Sequence, residues 1–286
     1  MTVETVTPFF TREGTELYHG DCLSVLPTLF ANSVDSVVTD PPYPEIDRPY
    51  GRMTEAEWRT MMHAVVKEVR RVLKPAGSAV FILQPNSERV GKMRAWLWEF
   101  QAWLCKEWGI VQDVWWYNPQ AMPTVHCRQD YGLMRPSLKA CVWAGSHDCY
   151  RNQDAVLIEP AESTKKDKRV TDDRLKRYPS THGMRHARSI GGCIKRGGAT
   201  PFNVLTVGRG GGNGHSAETP LALCEWWVKY LTPPNGTVLD PFAGSATTGE
   251  GALKHGYRFI GIERDGNYTA IAKERLAELN FHTGAV

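Results

Sequence analysis

A doubly wound α/β fold with a mostly parallel sheet is what this sequence predicts, and three observations predict it. Short apolar runs alternate with segments whose apolar residues recur at helical spacing, the pattern of strands and helices taking turns. Near the end of the chain Val238-Leu239-Asp240 opens into the small-residue turn Pro241-Phe242-Ala243-Gly244-Ser245 and then into a helical segment. Glu263 closes the next apolar run, Arg258-Phe259-Ile260-Gly261-Ile262, nineteen residues after Gly244. Parallel sheets of this kind are covered by helices on both faces, so their strands read as near-continuous apolar runs.

The elements follow in order. Leu17 to Gly20 is a first short strand ending at Asp21-Cys22, after which Leu23, Leu26, Leu29 and Phe30 recur at helical spacing. Val34 to Thr39 is a second strand, running into Asp40-Pro41-Pro42-Tyr43. Residues 44–53 form a polar loop suited to a lid, closed by Thr54 and Glu57, whose spacing has capping-box form. The helix they open carries Met61, Met62, Val65, Val69 and Leu73, stops at Lys74-Pro75-Ala76-Gly77, and precedes a strand over Ser78–Leu83. Residues 90–108 repeat bulky groups at helical spacing, with Trp96, Phe100, Trp103 and Leu104 on one face that packs on the sheet.

Val111–Tyr117 and Ser137–Ala144 read as neighbouring strands, antiparallel to each other. Periodicity weakens over 151–200, and Gly208 to Gly214 reads as a flexible connector. A helix runs from Thr219-Pro220 to about Leu231 and stops at Pro233-Pro234-Asn235-Gly236. A compact unit ends the chain: a strand at Thr237–Asp240, a helix to about His255, a strand at Tyr257–Ile262 and a helix from about Asn267.

A chain of 286 residues can bury one sizeable core, or one core with a small insertion. The net charge of +3 is unevenly spread: residues 151–200 hold twelve Lys/Arg against six Asp/Glu, so the remainder carries −3. Seven cysteines, odd in number and without a C-x-x-C pair, fit reduced, buried thiols. The first ten residues show no basic, apolar leader, and no run approaches the roughly 18 apolar residues of a spanning helix. A soluble cytoplasmic protein is expected. No metal is expected either, because the nine histidines form no H-x-x-x-H pair with an upstream acid, and His182 and His186 lack a nearby cysteine.

The tetrapeptide at 40–43 carries chemistry. Two successive prolines fix φ and remove two N–H donors, so carbonyls project there as acceptors without competing donors. Asp40 and a proline carbonyl can then both accept from one NH₂, while Tyr43 offers a face for a heterocycle. An exocyclic amine on such a ring is a poor nucleophile because its lone pair is delocalised. Two acceptors on its hydrogens favour the pyramidal, reactive form, so the motif points to alkylation of a base amine.

The second constellation points to a nucleoside. Gly244 and its neighbours let backbone approach a ligand, helix N–H groups point into the crevice, and a strand-end acid such as Glu263 binds ribose hydroxyls in doubly wound folds. There is no G-x-G-x-x-G and no G-K-S/T, which disfavours a dinucleotide or a triphosphate. An adenosine with an amino acid on its 5′ side would use Asp240 for its amine. S-adenosylmethionine satisfies that description.

Asp-Pro-Phe-Ala-Gly-Ser at 240–245, with Asp-Pro-Pro-Tyr at 40–43, resembles the amino-methyltransferases of DNA, which methylate adenine N6 or cytosine N4. The tetrapeptide precedes the cofactor motif, an order that resembles the circularly permuted β class, whose target-recognition segment lies between the two. The likeness extends from Leu17–Cys22 through Arg71–Gly77 to Phe259–Glu263 and is weakest over 145–205. It implies a Rossmann-like, circularly permuted methyltransferase sheet with a catalytic half at 1–150, a target-recognition insertion at 151–205 and a cofactor half at 206–286. By the same resemblance Asp40, Pro41, Pro42 and Tyr43 are catalytic. Asp240, Phe242, Ala243, Gly244 and Ser245 would cradle the methionine part, Glu263 the ribose, and Asp21, Cys22 and Arg264 the adenine. Asp40 and Thr219 complete that site, and His215 to Pro220 is similar to the helix-opening motif that flanks the cofactor's carboxylate. Two positions depart from the family: Ala246 stands where a second glycine is usual, and Glu218-Thr219 replace a polar-Lys pair.

Duplex DNA is the expected partner. The basic residues Lys165, Lys166, Lys168, Arg169, Arg174, Lys176, Arg177, Arg185, Arg188, Lys195 and Arg196 are the expected phosphate contacts, with Gly191-Gly192 and Gly197-Gly198 as hinges. Adenine N6 is the preferred target because Asp begins the tetrapeptide. Cytosine N4 is the alternative, followed by RNA or a protein glutamine, and by a DNA-binding protein without catalysis. Carbon methylation of cytosine is disfavoured, since no Pro-Cys dipeptide is present. The resemblance also allows a homodimer, a cognate restriction endonuclease and association with the nucleoid.

Overall fold

The computed structural model describes residues 6–47, 51–124, 127, 129, 131–160, 196–208 and 219–279. The chain forms two compact units, Met1–Arg151 with Asn203–Val286, and Asn152–Phe202.

The larger unit is built on a nine-stranded sheet. Its strands are β1 (Phe10–Arg12), β2 (Thr15–His19), β3 (Val34–Thr39), β4 (Leu73–Leu83), β7 (Ile110–Tyr117), β8 (Leu138–Gly145), β9 (Val204–Thr206), β10 (Thr237–Asp240) and β11 (Arg258–Glu263), while β5 (Ser87–Arg89) and β6 (Lys92–Met93) pair separately as a hairpin. The spatial order in the sheet is β1-β2-β11-β10-β3-β4-β8-β7-β9. The stretch from β2 to β4 is parallel throughout, β8 runs antiparallel to both β4 and β7, and β1 is antiparallel to β2. Among the described residues six helices accompany the sheet: α1 (Cys22–Val25), α2 (Glu55–Val72), α3 (Trp96–Glu107), α4 (Leu221–Leu231), α5 (Thr247–Lys254) and α6 (Gly266–Glu278).

Local chemistry explains these elements. All six residues of β3 are buried, as a central parallel strand requires. Asp35 is tolerated inside it because Lys74 Nζ donates to both carboxylate oxygens at 2.8 and 2.9 Å and the Thr237 N–H donates at 2.8 Å, which ties β3, β4 and β10 together. The capping box at Thr54 and Glu57 is formed, with Thr54 N donating to the Glu57 carboxylate at 2.8 Å and Glu57 N to Thr54 Oγ1 at 3.2 Å. Helix α2 buries Trp58, Met62, Val65 and Val69 in one cluster with Val37, Phe81 and Phe100. Beside α4, Trp227 and Trp143 of β8 meet edge to face at 6.1 Å.

Several expectations need correction. Pro27 tightens the chain after Val25 into a 3₁₀ turn at Leu26–Thr28, so the helix is one turn long and Phe30 is 85 % exposed. Strand β4 begins at Leu73, because Leu73 already pairs with Val34. Residues 90–95 are not helical: the β5–β6 hairpin precedes α3. Leu97, rather than Trp103, joins Trp96, Phe100 and Leu104 as buried residues of α3. Cys22, Cys141, Cys149 and Cys224 are buried, whereas Cys105 is exposed and Cys127 half-buried.

The smaller unit is described only at residues 152–160 and 196–202, where Ile158 and Ala199 form an antiparallel bridge. The connector from Gly208 to Gly214 lies, beyond Gly208, outside the described residues.

Candidate active site

Strands β3 and β10 lie side by side and parallel, with Leu239 opposite Val37, so the residues at their carboxyl ends emerge together. That crevice is where open α/β sheets bind ligands. Thr39, the last residue of β3, donates from Oγ1 to Asp240 Oδ1 at 2.7 Å, directly joining two motifs 201 residues apart in sequence. Asp240 is buried and accepts a second bond from the Phe242 N–H at 3.1 Å, which shapes the following turn. Burial pushes its carboxyl up to about 6, against the opposing pull of the Thr39 and Phe242 donors.

Asp40 follows β3, and both its oxygens are engaged. Oδ1 accepts from the Tyr43 hydroxyl at 2.5 Å, and Oδ2 from Thr219 Oγ1 at 2.7 Å and Lys139 Nζ at 3.2 Å. The Trp58 indole donates to the Pro42 carbonyl at 2.6 Å and so anchors the second proline of the tetrapeptide. Tyr43 lies nearly parallel to Trp96, ring centres 6.4 Å apart, and Trp96 is itself anchored by its indole N–H on Asn86 Oδ1 at 2.8 Å.

On the other side, Glu263 ends β11 and its two oxygens accept from the Gly244 and Asp265 N–H groups, each at 2.8 Å. Gly244 has φ +51°, and a Cβ there would meet nothing within 4 Å, so the turn leaves open space above it. Ala246 adopts φ +61° as the residue before α5, a left-handed conformation that favours glycine. The Gly20 N–H donates to the Glu263 carbonyl at 2.9 Å, placing Asp21 beside it, where Asp21 caps α1 through the Leu23 N–H at 2.8 Å. Burial and the Asp21 charge push the Cys22 thiol up to about 12, and burial pushes Cys141 up to about 12 as well. Both are therefore protonated at neutral pH and unsuited to nucleophilic attack.

One cavity of about 530 Å³ is lined by residues of both motifs. It brings together Asp21, Cys22, Asp40, Pro41, Pro42, Tyr43, Thr219, Phe242, Ala243, Gly244, Ser245, Glu263 and Arg264. Asp240 is not among its walls but lies buried at the root of the turn. Its volume falls in the range of small-molecule sites, roughly 300–1,000 Å³.

The loop proposed as a lid is fastened where it is described. Arg52 donates to Glu45 Oε2 at 2.7 Å, which holds the Glu45 carboxyl below its usual range, and the Glu45 N–H donates to the Met53 carbonyl at 2.7 Å. Residues 48–50 lie outside the described residues. Of the expected DNA contacts only Arg196 is described, and it is bound to Asp154 and, at 2.8 Å, to Gln153. The other ten lie outside the described residues, as do Glu218 and His215. Among the described residues no group of three His, Cys, Asp or Glu is placed to hold a metal ion, and no helix is long and apolar enough to cross a membrane.

Sequence reasoning missed Lys139 and Trp116. Lys139 is the one charged residue in the otherwise apolar strand Leu138–Gly145, a signal available without a structure. Trp116 is buried opposite it on β7 and donates from its indole to the Val207 carbonyl at 2.8 Å.

Comparison with known proteins places this geometry in a family. The type II methyltransferase M.PvuII of Proteus hauseri is 25 % identical over 292 residues, covering 96 % of this chain and 87 % of its own. The DNA adenine methyltransferase YhdJ of Escherichia coli K12 is 27 % identical over 274 residues, covering 93 % and 84 %. Among solved structures, the cytosine-N4-specific PvuII DNA methyltransferase superposes with a TM-score of 0.72 at 20 % identity, covering 97 % of this chain and 91 % of the other. The Thermus thermophilus protein TTHA0409, in complex with S-adenosyl-L-methionine, gives 0.57 at 22 % identity, covering 91 % and 94 %. The family model for N6/N4 methyltransferases, described as DNA methylase, matches residues 34–274, from the start of β3 into α6, and the chain belongs to that family.

Proposed function

We propose that this protein transfers the methyl group of S-adenosylmethionine to the N6 amine of adenine in duplex DNA. The observation that carries this reading is the meeting of the two acidic motifs in one cavity, with Asp40 and Tyr43 on one side and Gly244 and Glu263 on the other. The cofactor fits the residues present. The open space over Gly244 admits a ligand against the backbone, Glu263 stands at the strand end where ribose hydroxyls are bound, and buried Asp240 lends negative potential to an amino-acid ammonium.

S-adenosylmethionine supplies a methyl group on a sulfonium, which departs as a neutral thioether taking the bonding electron pair. Asp40 accepts from the target NH₂ and draws its lone pair out of conjugation, so that the new N–C bond forms in line with the bond that breaks. The nitrogen then carries one proton too many, and the Asp40 carboxylate is the base placed to receive it. Tyr43 supports the ring of a base taken out of the helix, an extrusion that costs a few kcal/mol. Holding amine and methyl in line supplies most of the acceleration, with electrostatics around Asp40 adding to it. The segment 151–205 serves target recognition, its basic residues contacting phosphates, so affinity falls steeply with salt.

Asp rather than Ser at the head of the tetrapeptide supports adenine. Cytosine N4 is the second reading, favoured by the likeness to M.PvuII, whose solved structure is named as cytosine-N4-specific. The test is incubation of unmethylated plasmid DNA with protein and S-adenosylmethionine, followed by nucleoside mass spectrometry, with Asp40→Ala as control. N6-methyladenine formed only by the intact protein supports the first reading, and N4-methylcytosine the second. Absence of both, with cofactor bound, overturns the two together.

A further inference from the structure

Lys139 faces Trp116 across the β7–β8 pairing, and its side chain is only 19 % exposed. Its ammonium lies 3.2 Å from Asp40 Oδ2 and 3.0 Å from the Tyr43 hydroxyl. It also lies 5.4 Å from the centre of the Tyr43 ring, on its hydroxyl side, and 5.0 Å from that of Trp116, within the range at which a ring face holds a cation. A nitrogen bearing hydrogens is thus bonded to Asp40 beside two aromatic rings, the position that the base-amine reading gives to the target amine.

Asp40 offers about four acceptor positions and already receives three donors, from Tyr43, Thr219 and Lys139. The Thr219 hydroxyl sits on a short side chain and the Tyr43 hydroxyl on a rigid ring, whereas the ammonium rides on a flexible four-carbon stem, so Lys139 is the donor that yields to an entering amine. We propose that the displaced ammonium then donates to the ring nitrogen beside the amine-bearing carbon, so that Asp40 and Lys139 together read an amine next to an acceptor. This rests on the base-amine reading above. Adenine presents that edge through N6 and N1, and cytosine through N4 and N3. On its Watson–Crick edge guanine sets the N1–H beside its amine and would face the ammonium donor to donor, leaving both unsatisfied. Lys139 is thus a base-reading residue that restricts an otherwise permissive aromatic site.

A cycle between side chain and substrate atom tests this. Kinetics are measured on DNA carrying the natural target base and on DNA carrying its ring-CH analogue, 1-deazaadenine or 3-deazacytosine, with wild-type protein and Lys139→Met. Wild-type kcat/KM is expected to fall roughly 10- to 100-fold on the analogue, the worth of one hydrogen bond to a charged group. Lys139→Met should lose a similar factor on the natural base and differ by less than about threefold between the two DNAs. Any change in the analogue's intrinsic reactivity cancels in the cycle. Lys139→Leu, which likewise carries no donor, serves in the same way if the methionine variant does not fold. Equal analogue penalties in wild type and variant overturn the role of Lys139 while leaving methylation intact. Wild-type protein that binds cofactor yet methylates neither base overturns the reading beneath it and this proposal with it.

Discussion

Replacing Asp240 by Asn should make the protein's stability less sensitive to pH, because Asp240 is buried with its carboxyl pushed from 3.8 up to about 6. Between those values the folded protein keeps a proton that the unfolded chain has lost. The contribution to stability is therefore fully present below about pH 4 and is lost as pH rises through 6. The displacement corresponds to roughly 3 kcal/mol in all, of which roughly 2 kcal/mol is lost between pH 4.5 and 7.5. Asn retains an oxygen for the Thr39 hydroxyl and the Phe242 N–H but has no proton to release. Urea unfolding of both proteins without cofactor, followed by tryptophan fluorescence across that range, gives the difference in stability at each pH, and contributions of other groups cancel. The variant should gain about 2 kcal/mol relative to wild type from pH 4.5 to 7.5. A difference that stays flat, or that slopes the other way, would refute the account of a buried, proton-retaining carboxyl at the root of the turn.

Two further substitutions probe the scaffold beneath the site. Gly249→Ala in α5 would gain about 1 kcal/mol from helix propensity, but its Cβ would stand 2.6 Å from the buried Phe259 ring, and overpacking costs about 1–3 kcal/mol, so a net loss of stability is expected in urea unfolding and a gain would contradict the packing. Trp58→Phe strands the Pro42 carbonyl that the indole now holds at 2.6 Å, which should cost about 2–3 kcal/mol and lower kcat in the methylation assay, whereas an unchanged unfolding midpoint would show that the indole does not anchor the tetrapeptide.

Much of the framework was legible from residues alone, for identifiable reasons. Strand β3 is wholly buried, so its apolar run stands out, and the Thr54–Glu57 box marks the start of α2 through purely local bonds. Elements that depend on distant partners were not legible. Strands β1 and β9 have three residues each and exist because β2 and β7 offer edges to pair with, and the β5–β6 hairpin is polar on a segment whose helical period continues into α3. After Asp21 the leucine spacing carries a helical pattern past Pro27, but Pro27 opens a 3₁₀ turn that ends the helix after one turn.

By itself the sequence determined the alternation of strands and helices, the two acidic motifs and their order along the chain, since these reside in local periodicity and in residue types at fixed spacing. Only the tertiary structure decided that β3 and β10 are neighbours, that Thr39 bonds Asp240 across 201 residues, and that Lys139 rests on Asp40 beside Tyr43 and Trp116. It also placed Asp240 beneath the cavity rather than on its wall. The physical reason is that a strand's side-chain pattern records whether its faces are buried but not which strand lies beside it. Neighbours in a parallel sheet are set by crossovers through the packed core, and it is those neighbours that bring charges together.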